Sequence, residues 1–239
     1  MPAQGPNWTQ FWKAERHAFD DVMRLATRYF ADRFCSAFAV SNKTRVFDYG
    51  CGPGFLADEL IPKGLIFSGA DINSYFIERC SANHPDANFF CVNADAQSNT
   101  SILQQHLKGP ADFIILLSIA QYLSSPGDLE KIIASLRPHL SAEGQIIIAD
   151  VVDEHTRSYR DALSLLAHAI KSGKAGAFLR FMNYVLRSEY ARIAKNNQLL
   201  LIPQTFVEQM AGRLGYTCRQ MKGLTFHPTR KNYILQTKD

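Results

Sequence analysis

Three glycines at alternate positions form the part of this sequence with the clearest chemical meaning. Gly50, Gly52 and Gly54 directly follow an apolar run at residues 45–49, and the acid Asp48 stands two residues before the first of them. Glycine admits positive φ angles and lets the backbone approach a ligand that a Cβ atom would keep away. The spacing predicts a loop that binds a nucleotide cofactor, although an ordinary tight turn also uses glycine.

Two further acids follow at distances that suit a nucleotide. Asp71 lies about 20 residues after the glycines, where a carboxylate can accept hydrogen bonds from both ribose hydroxyls. Asp95, beside the small Ala96, can accept a hydrogen bond from an adenine amino group. An acid at either place is also a common helix cap or turn residue. The register of Asp71 with the glycine loop favours the binding role there.

Strand and helix patterns that could position these residues alternate along the chain. Apolar residues at helical spacing between Phe19 and Phe30 predict an N-terminal amphipathic helix. Helices are predicted from residue 55, over 75–80 and 102–107, and from 126, and a capping-box pattern at Thr205 and Glu208 predicts one that ends at Gly215. Strands are predicted at residues 45–49, 65–71, 88–92, 112–118, 145–152, 216–226 and 232–237.

These patterns predict an α/β protein with a doubly wound, Rossmann-like sheet of seven strands. The apolar runs in strands four and five predict a mostly parallel sheet with helices on both faces. The link between the last two strands is too short for a helix, so the final strand is predicted to be antiparallel. We expect one domain over residues 1–239, with an N-terminal helical cap at residues 1–40 and a helical lid insertion after strand five at residues 153–200.

Four segments together resemble a known family. Asp48 and the three glycines are similar to motif I of the class I S-adenosylmethionine-dependent methyltransferases, and residues 112–123 resemble motif IV of their small-molecule type. Residues 136–140 and 143–145 are similar to the family's segment before strand five. The rival dinucleotide pattern expects a third small residue where this chain has Phe55. The resemblance covers the chain from about residue 11 to its C-terminus.

The resemblance implies S-adenosyl-L-methionine as cofactor and a small-molecule methyl acceptor. It places Ser118 near the methionine part of the cofactor, and Gln121 and Tyr122 at the mouth of the acceptor site. The residues expected to bind the cofactor are Asp48, Gly50, Cys51, Gly52, Gly54, Asp71, Ile72, Asp95, Ala96 and Ser118.

The catalytic group is less defined by the sequence. Some O-methyltransferases of this fold carry a histidine after strand four, where this chain has Gln121, which cannot act as a base at neutral pH. His155, after strand five, is the best-placed replacement, because imidazole titrates near neutral pH, although a solvent-facing histidine would fit the same position. His227 is a weaker candidate that could instead cap a turn. We therefore assign catalysis to His155, Gln121 and Tyr122, and no side-chain spacing indicates a metal site.

Aromatic and apolar residues of the insertion could line an acceptor site under the lid, although ordinary helix packing also explains them: Phe178, Phe181, Met182, Tyr184 and Tyr190. Three residues near the N-terminus could close over the cofactor or simply pack on the fold: Trp8, Phe11 and Trp12.

Composition limits the classes of function. The chain has 239 residues, 46% of them hydrophobic and 20% charged, with a net charge of +4 and five cysteines that form no C-x-x-C pair. Scattered basic residues argue against nucleic-acid binding, and the cysteine pattern fits a reducing cytoplasm. No apolar run is long enough for a membrane span. We expect a cytoplasmic monomer or homodimer, with a non-catalytic cofactor-binding or partner-binding protein as the alternative and an NAD-dependent oxidoreductase disfavoured.

Overall fold

The computed structural model describes residues 17–171, 173, 176, 178–179, 182–183 and 199–238. Seven strands form one sheet in the order β3-β2-β1-β4-β5-β7-β6. The first five strands are parallel to one another, and β7 pairs antiparallel with both β5 and β6. The predicted fold class is confirmed. The strands are β1 (Arg45–Tyr49), β2 (Ile66–Asp71), β3 (Asn88–Cys91), β4 (Ala111–Leu117), β5 (Leu140–Val151), β6 (Tyr216–Gln220) and β7 (Lys231–Thr237).

Helices cover both faces of this sheet, and local sequence explains where several begin. The side chain of Asn73 accepts a hydrogen bond from Tyr75 N at 3.0 Å, which caps one helix, and Pro126 occupies the first turn of another. The helices are α1 (His17–Ala37), α2 (Phe55–Leu60), α3 (Ser74–Asn83), α4 (Thr100–His106), α5 (Pro126–Leu136), α6 (Ser158–Lys171) and α7 (Gln204–Arg213).

The apolar strands supply a core on each side of the sheet. In β4, Ile114 and Leu116 belong to one buried cluster and Ile115 to the other, because successive side chains of a strand alternate between faces. Ile146 and Ile147 of β5 divide in the same way. All five side chains have 0% exposure, so a continuous apolar run here means burial on both faces.

Two predictions about the C-terminal part are wrong in detail. Strand β6 ends at Gln220 rather than 226, because Gly223 adopts a left-handed φ of 71° that turns the chain. Helix α7 begins at Gln204 with Pro203 at the N-cap, so Thr205 does not cap it. Gln204 instead pairs with Glu208, its Nε2 donating to Glu208 Oε1 at 2.7 Å. The left-handed Gly215 after this helix is confirmed, with φ 77°.

The start of the insertion is helical and packs against α1. Leu165 and Ala169 of α6 form a buried cluster with Leu25 and with Phe226 from the loop before β7, and Phe178 joins it. Met182 lies partly buried against the same cluster. Phe181, Tyr184, Tyr190, Trp8, Phe11 and Trp12 lie outside the described residues, so the lid and the domain bounds stay predictions. None of the described helices is long and apolar enough to cross a membrane.

Candidate active site

The glycine loop joins β1 to α2 in a conformation that requires glycine. Gly50 and Gly54 both have a φ of 86°, in the left-handed region. A Cβ atom at Gly50 would lie 2.6 Å from Ile119 Cγ2, and one at Gly54 would lie 2.7 Å from Cys80 Sγ. The amide of Gly50 donates to Ala70 O at 2.7 Å, which ties the loop to β2.

Asp71 holds this loop from the end of β2. Its Oδ2 accepts a hydrogen bond from Gly52 N at 2.8 Å, and its Oδ1 accepts one from Asn73 N at 2.9 Å. The side chain is 9% exposed. Burial raises the pKa of Asp71, while the backbone N–H groups of Asn73, Gly52 and Ile72 act in the opposite direction.

A cavity of about 360 Å³ opens at the carboxyl ends of β1 and β4, near the centre of the sheet. Its volume lies within the range of about 300–1,000 Å³ that is usual for small-ligand sites. One side consists of the predicted cofactor loop and the ends of the neighbouring strands: Gly50, Cys51, Gly52, Asp71, Ile72, Asn93 and Ala94. Another part of the lining comes from α1, α6 and the loop before β7: Val22, Met23, Ala26, Thr27, Leu165, Thr225, Phe226, His227 and Arg230.

Two buried oxygens on the cavity wall have no hydrogen-bond partner among the described residues. They are Asp48 Oδ1 and Gln121 Oε1, whose side chains are 3% and 1% exposed. Burial, and next the neighbouring Asp71, raise the pKa of Asp48 to about 8. Unpaired acceptors of this kind are costly in a dry interior. They suit the ammonium group of a methionine moiety, so the residues present fit S-adenosylmethionine.

A second polar group surrounds Asp150 at the end of β5. Ser118 Oγ and Arg230 Nη1 each donate to Asp150 Oδ2 at 2.7 Å, and His227 Nδ1 lies 2.6 Å from Oδ1. Burial by itself would raise the pKa of Asp150, but Arg230, His227 and the hydrogen bond from Ser118 lower it to about 2. Asp150 therefore carries a negative charge at neutral pH inside the cavity wall.

The backbone at this point is also unusual. Ser118 and Asp150 have φ angles of 58° and 66°, which non-glycine residues rarely adopt. Such strain persists where the surrounding structure fixes it, and it is concentrated at functional sites. Asn232 Oδ1 accepts a hydrogen bond from Asp150 N at 3.0 Å and so supports this conformation.

The structure places His155, the base assigned from the sequence, outside the cavity. Its side chain is 72% exposed, lies 3.7 Å from Glu154 and does not line the cavity. The backbone explains this position, because Asp153 Oδ1 accepts a hydrogen bond from His155 N in a surface turn. His227, the weaker candidate in the sequence, lies on the cavity wall instead.

The remaining predicted site residues divide into two groups. Ser118, Gln121 and Tyr122 line the cavity together, as do Asp48, Cys51 and Ile72. Three others do not line it. Asp95 is exposed and accepts a hydrogen bond from Gln97 N at 3.3 Å, Ala96 is buried in the core, and Gly54 lies behind the loop as the N-cap of α2. The end of β3 contributes Asn93 and Ala94 in place of the expected pair.

Sequence reasoning missed the contribution of α1 and of the loop before β7. Val22, Met23 and Ala26 were recognised only as the apolar face of a helix, and nothing in their pattern distinguishes a cavity wall from a core. Asp150, by contrast, directly follows an apolar run in the sequence. An acid at the end of a buried strand indicates a functional site, so the sequence did contain a signal for Asp150.

Comparison with known protein families gives one match. Residues 47–146 match a family described as a methyltransferase domain. No curated protein matches the chain in sequence.

Solved structures share the fold at low sequence identity. Magnesium protoporphyrin IX methyltransferase from Synechocystis PCC 6803 with bound S-adenosylhomocysteine has a TM-score of 0.56 and 15% identity, over 93% of this chain and 87% of that one. A TehB-like methyltransferase from Corynebacterium glutamicum gives 0.56 and 15%, over 88% of each chain. The plantazolicin methyltransferase BamL gives 0.57 and 14%, over 96% of this chain and 94% of that one.

The domain match runs from β1 to the middle of β5. It covers the five parallel strands and includes the glycine loop, Asp71 and Ser118. The chain therefore carries a match to a methyltransferase domain over residues 47–146 and shares the fold of S-adenosylmethionine-dependent methyltransferases of known structure.

Proposed function

We propose that the protein transfers the methyl group of S-adenosylmethionine to a small, largely apolar molecule that binds in the same cavity. The observation that carries this proposal is the continuity of the cavity, which runs from the glycine loop to an apolar wall formed by α1 and α6. A donor and an acceptor bound in one cavity need no large conformational change to meet.

The acceptor side combines apolar surface with few polar groups. Val22, Met23, Ala26, Leu165 and Phe226 supply the apolar wall. Pockets of this composition bind the body of a small molecule by burial and orient it with a few polar contacts. One of the similar structures is named for magnesium protoporphyrin IX, which supports a small-molecule acceptor here.

We assign the cofactor residues by their position on the opposite side. Asp71 accepts hydrogen bonds from the ribose, the loop from Gly50 to Gly52 lies beside the nucleoside, and Asn93 with Ala94 borders the adenine. Ser118, Gln121 and Asp48 hold the methionine end. Asn93 and Ala94 replace Asp95 and Ala96 in this assignment, because the latter two do not line the cavity.

Methyl transfer of this kind depends mainly on the alignment of the acceptor atom with the methyl group. S-adenosylmethionine, when bound, supplies a methyl group that is already activated on a sulfonium. The chain binds both molecules, orients the acceptor atom in line with the methyl group and excludes water. The enclosed wall of α1, α6 and the loop before β7 serves the last purpose.

The test is a transfer assay with tritiated S-adenosylmethionine and a cell extract that is fractionated into small molecules, protein and nucleic acid. We expect label in the small-molecule fraction with the wild-type protein and none with Asp71→Ala, which loses the predicted ribose contact. Label confined to the protein or nucleic-acid fraction would contradict the proposed acceptor class.

A further inference from the structure

His227 occupies a place on the cavity wall that the methyltransferase reaction as described so far does not use. It belongs to the loop between β6 and β7, its side chain is 15% exposed, and its ring lies 4.1 Å from that of Phe226. This contact and the bond to Asp150 fix the imidazole between an apolar wall and a buried carboxylate.

The partner of Nδ1 determines which ring nitrogen can act as a base. An ionised carboxylate only accepts hydrogen bonds, so Nδ1 must donate its proton to Asp150 Oδ1. The neutral ring then has its lone pair on Nε2. Among the described residues, no hydrogen-bond partner is found for Nε2, and the ring borders the cavity.

The same carboxylate connects His227 to the predicted position of the methyl donor. Asp150 Oδ2 accepts the hydrogen bond from Ser118 Oγ, and Ser118 O accepts one from Gln121 Nε2 at 2.9 Å. Ser118 and Gln121 border the methionine end of the cofactor in the proposed function. A base held by Asp150 is therefore adjacent to the place where the acceptor atom must lie.

We propose that His227, oriented by Asp150, is the general base of the reaction and that the acceptor atom is the oxygen of a weakly acidic hydroxyl, of the phenol or enol class. This inference rests on the proposed function. Nε2 takes the hydroxyl proton as the oxygen bonds to the methyl carbon. The methyl–sulfur bond breaks with its electron pair passing to sulfur, which leaves a neutral thioether, a methyl ether and an imidazolium that later releases its proton to water.

The charges around His227 favour a neutral hydroxyl over other acceptors. Arg230 already binds two carboxylates, Asp150 at 2.7 Å and Asp161 at 3.3 Å, so an acceptor carboxylate would compete with both for that cation. An ammonium acceptor would enter beside Arg230 and the sulfonium, both of which are positive. A neutral hydroxyl neither competes for Arg230 nor adds a positive charge, and its methylation requires a base such as His227.

The first measurement determines which nitrogen of the His227 ring carries the proton, and it does not depend on turnover. In protein labelled with ¹⁵N-histidine, two-bond ¹H–¹⁵N correlation spectra distinguish the two neutral tautomers, and His227→Gln identifies the signals. We expect the proton on Nδ1 in the wild type, and a shift of the tautomer ratio in Asp150→Asn. A neutral ring with its proton on Nε2 would overturn the proposal.

The second measurement uses phenols of graded acidity as acceptors. For 4-methylphenol, which is un-ionised at neutral pH, we expect His227→Gln to lower methyl transfer by about 100-fold or more. For pentafluorophenol, which is already ionised, the same variant changes transfer only a few-fold. His155→Gln is the matched control and leaves both rates unchanged.

The outcomes separate a base from a positioning residue and from failure of the proposed function. An equal loss with both phenols in His227→Gln, while titration calorimetry shows intact S-adenosylhomocysteine binding, would overturn the base. If the wild type labels small molecules of the extract but no phenol or enol, the proposed function stands and the hydroxyl assignment falls. Label only in macromolecules would remove both.

Discussion

At the scale of single residues, Asp71 is the group to which the proposed function assigns the cofactor ribose. Its two oxygens already accept bonds from Gly52 N and Asn73 N, so it shapes the loop as well as facing the cavity. Removing hydrogen bonds to a charged group costs about 1.5–3 kcal/mol, which corresponds to roughly 10- to 150-fold in affinity.

The prediction is that Asp71→Ala weakens binding of S-adenosylhomocysteine by an amount in that range, measured by titration calorimetry. The exposed Asp86, in the turn before β3, offers a control of the same residue type, and Asp86→Ala should bind as the wild type does. Equal affinities for the wild type and Asp71→Ala would exclude the assigned ribose contact.

A second prediction concerns the buried carboxyl of Asp48. Its pKa is raised from 3.8 to about 8, by burial first and by Asp71 second. Between about pH 4 and pH 8 the native protein keeps a proton that the unfolded chain releases, so this group makes the free energy of unfolding fall as the pH rises, by at most about 1.4 kcal/mol per unit. Asp48→Asn removes the ionisable group and keeps its shape.

Urea unfolding of both proteins across this pH range checks the sign. We expect the variant to gain stability relative to the wild type as the pH rises, since other titrating groups cancel in the difference. A stability difference that stays constant with pH would mean that Asp48 ionises normally in the folded protein.

At the scale of elements, the glycine loop and α3 constrain each other. A Cβ atom at Gly54 would lie 2.7 Å from Cys80 Sγ of α3, at a φ of 86° that L-residues avoid. Gly212, near the end of α7, has no atom within 4 Å of such a Cβ and no positive φ. The two glycines therefore form a matched pair, one required by geometry and one not.

We expect Gly54→Ala to lower the free energy of unfolding by about 2 kcal/mol or more, from left-handed strain and the close contact together. Gly212→Ala should raise it by roughly 0.5–1 kcal/mol, because alanine favours a helix. Denaturant unfolding measures both changes. Similar effects of the two substitutions would mean that the loop conformation does not depend on glycine.

The position of α1 is the other element-level feature that creates the site. Arg24 Nη1 donates to Asp58 Oδ2 of α2 at 2.7 Å, and Leu25 packs with Leu165 of α6. These contacts hold α1 where its residues Val22 and Met23 line the cavity. A helix that the sequence marks only as amphipathic thus lines the cavity.

At the scale of the whole molecule, the two core clusters share the strands of one sheet. Ile114 and Ile115 of β4 face opposite clusters, so neither cluster can dissolve without disrupting the strand that supports the other. We therefore expect the chain to unfold in a single cooperative transition, with equal calorimetric and van't Hoff enthalpies in scanning calorimetry.

Ligand binding should raise the midpoint temperature of this single transition. S-adenosylhomocysteine at about 100 times its Kd adds about 2.7 kcal/mol to the free energy of unfolding, or roughly 5 to 11 °C in Tm for a domain of this size. Two separable transitions, of which only one responds to the ligand, would contradict the single-domain assignment.

Local sequence was sufficient for the architecture and for the cofactor loop. Apolar runs such as that in β4 must be buried on both faces, and glycines at alternate positions after a strand must make a close turn, because these properties belong to the residues and their spacing. Asp71 follows for the same reason, since its distance from the loop along the chain fixes which strand end it occupies.

The acceptor side was decided only by the tertiary structure. Asp150 and His227 are 77 residues apart in the chain, yet their side chains meet at 2.6 Å because β7 pairs antiparallel with β5 and brings the preceding loop to the end of β5. His155 follows β5 directly, and a local turn leaves it in solvent. Spacing along the sequence reports contacts within an element or a loop, whereas a site assembled from distant segments depends on strand pairing and packing that no local pattern encodes.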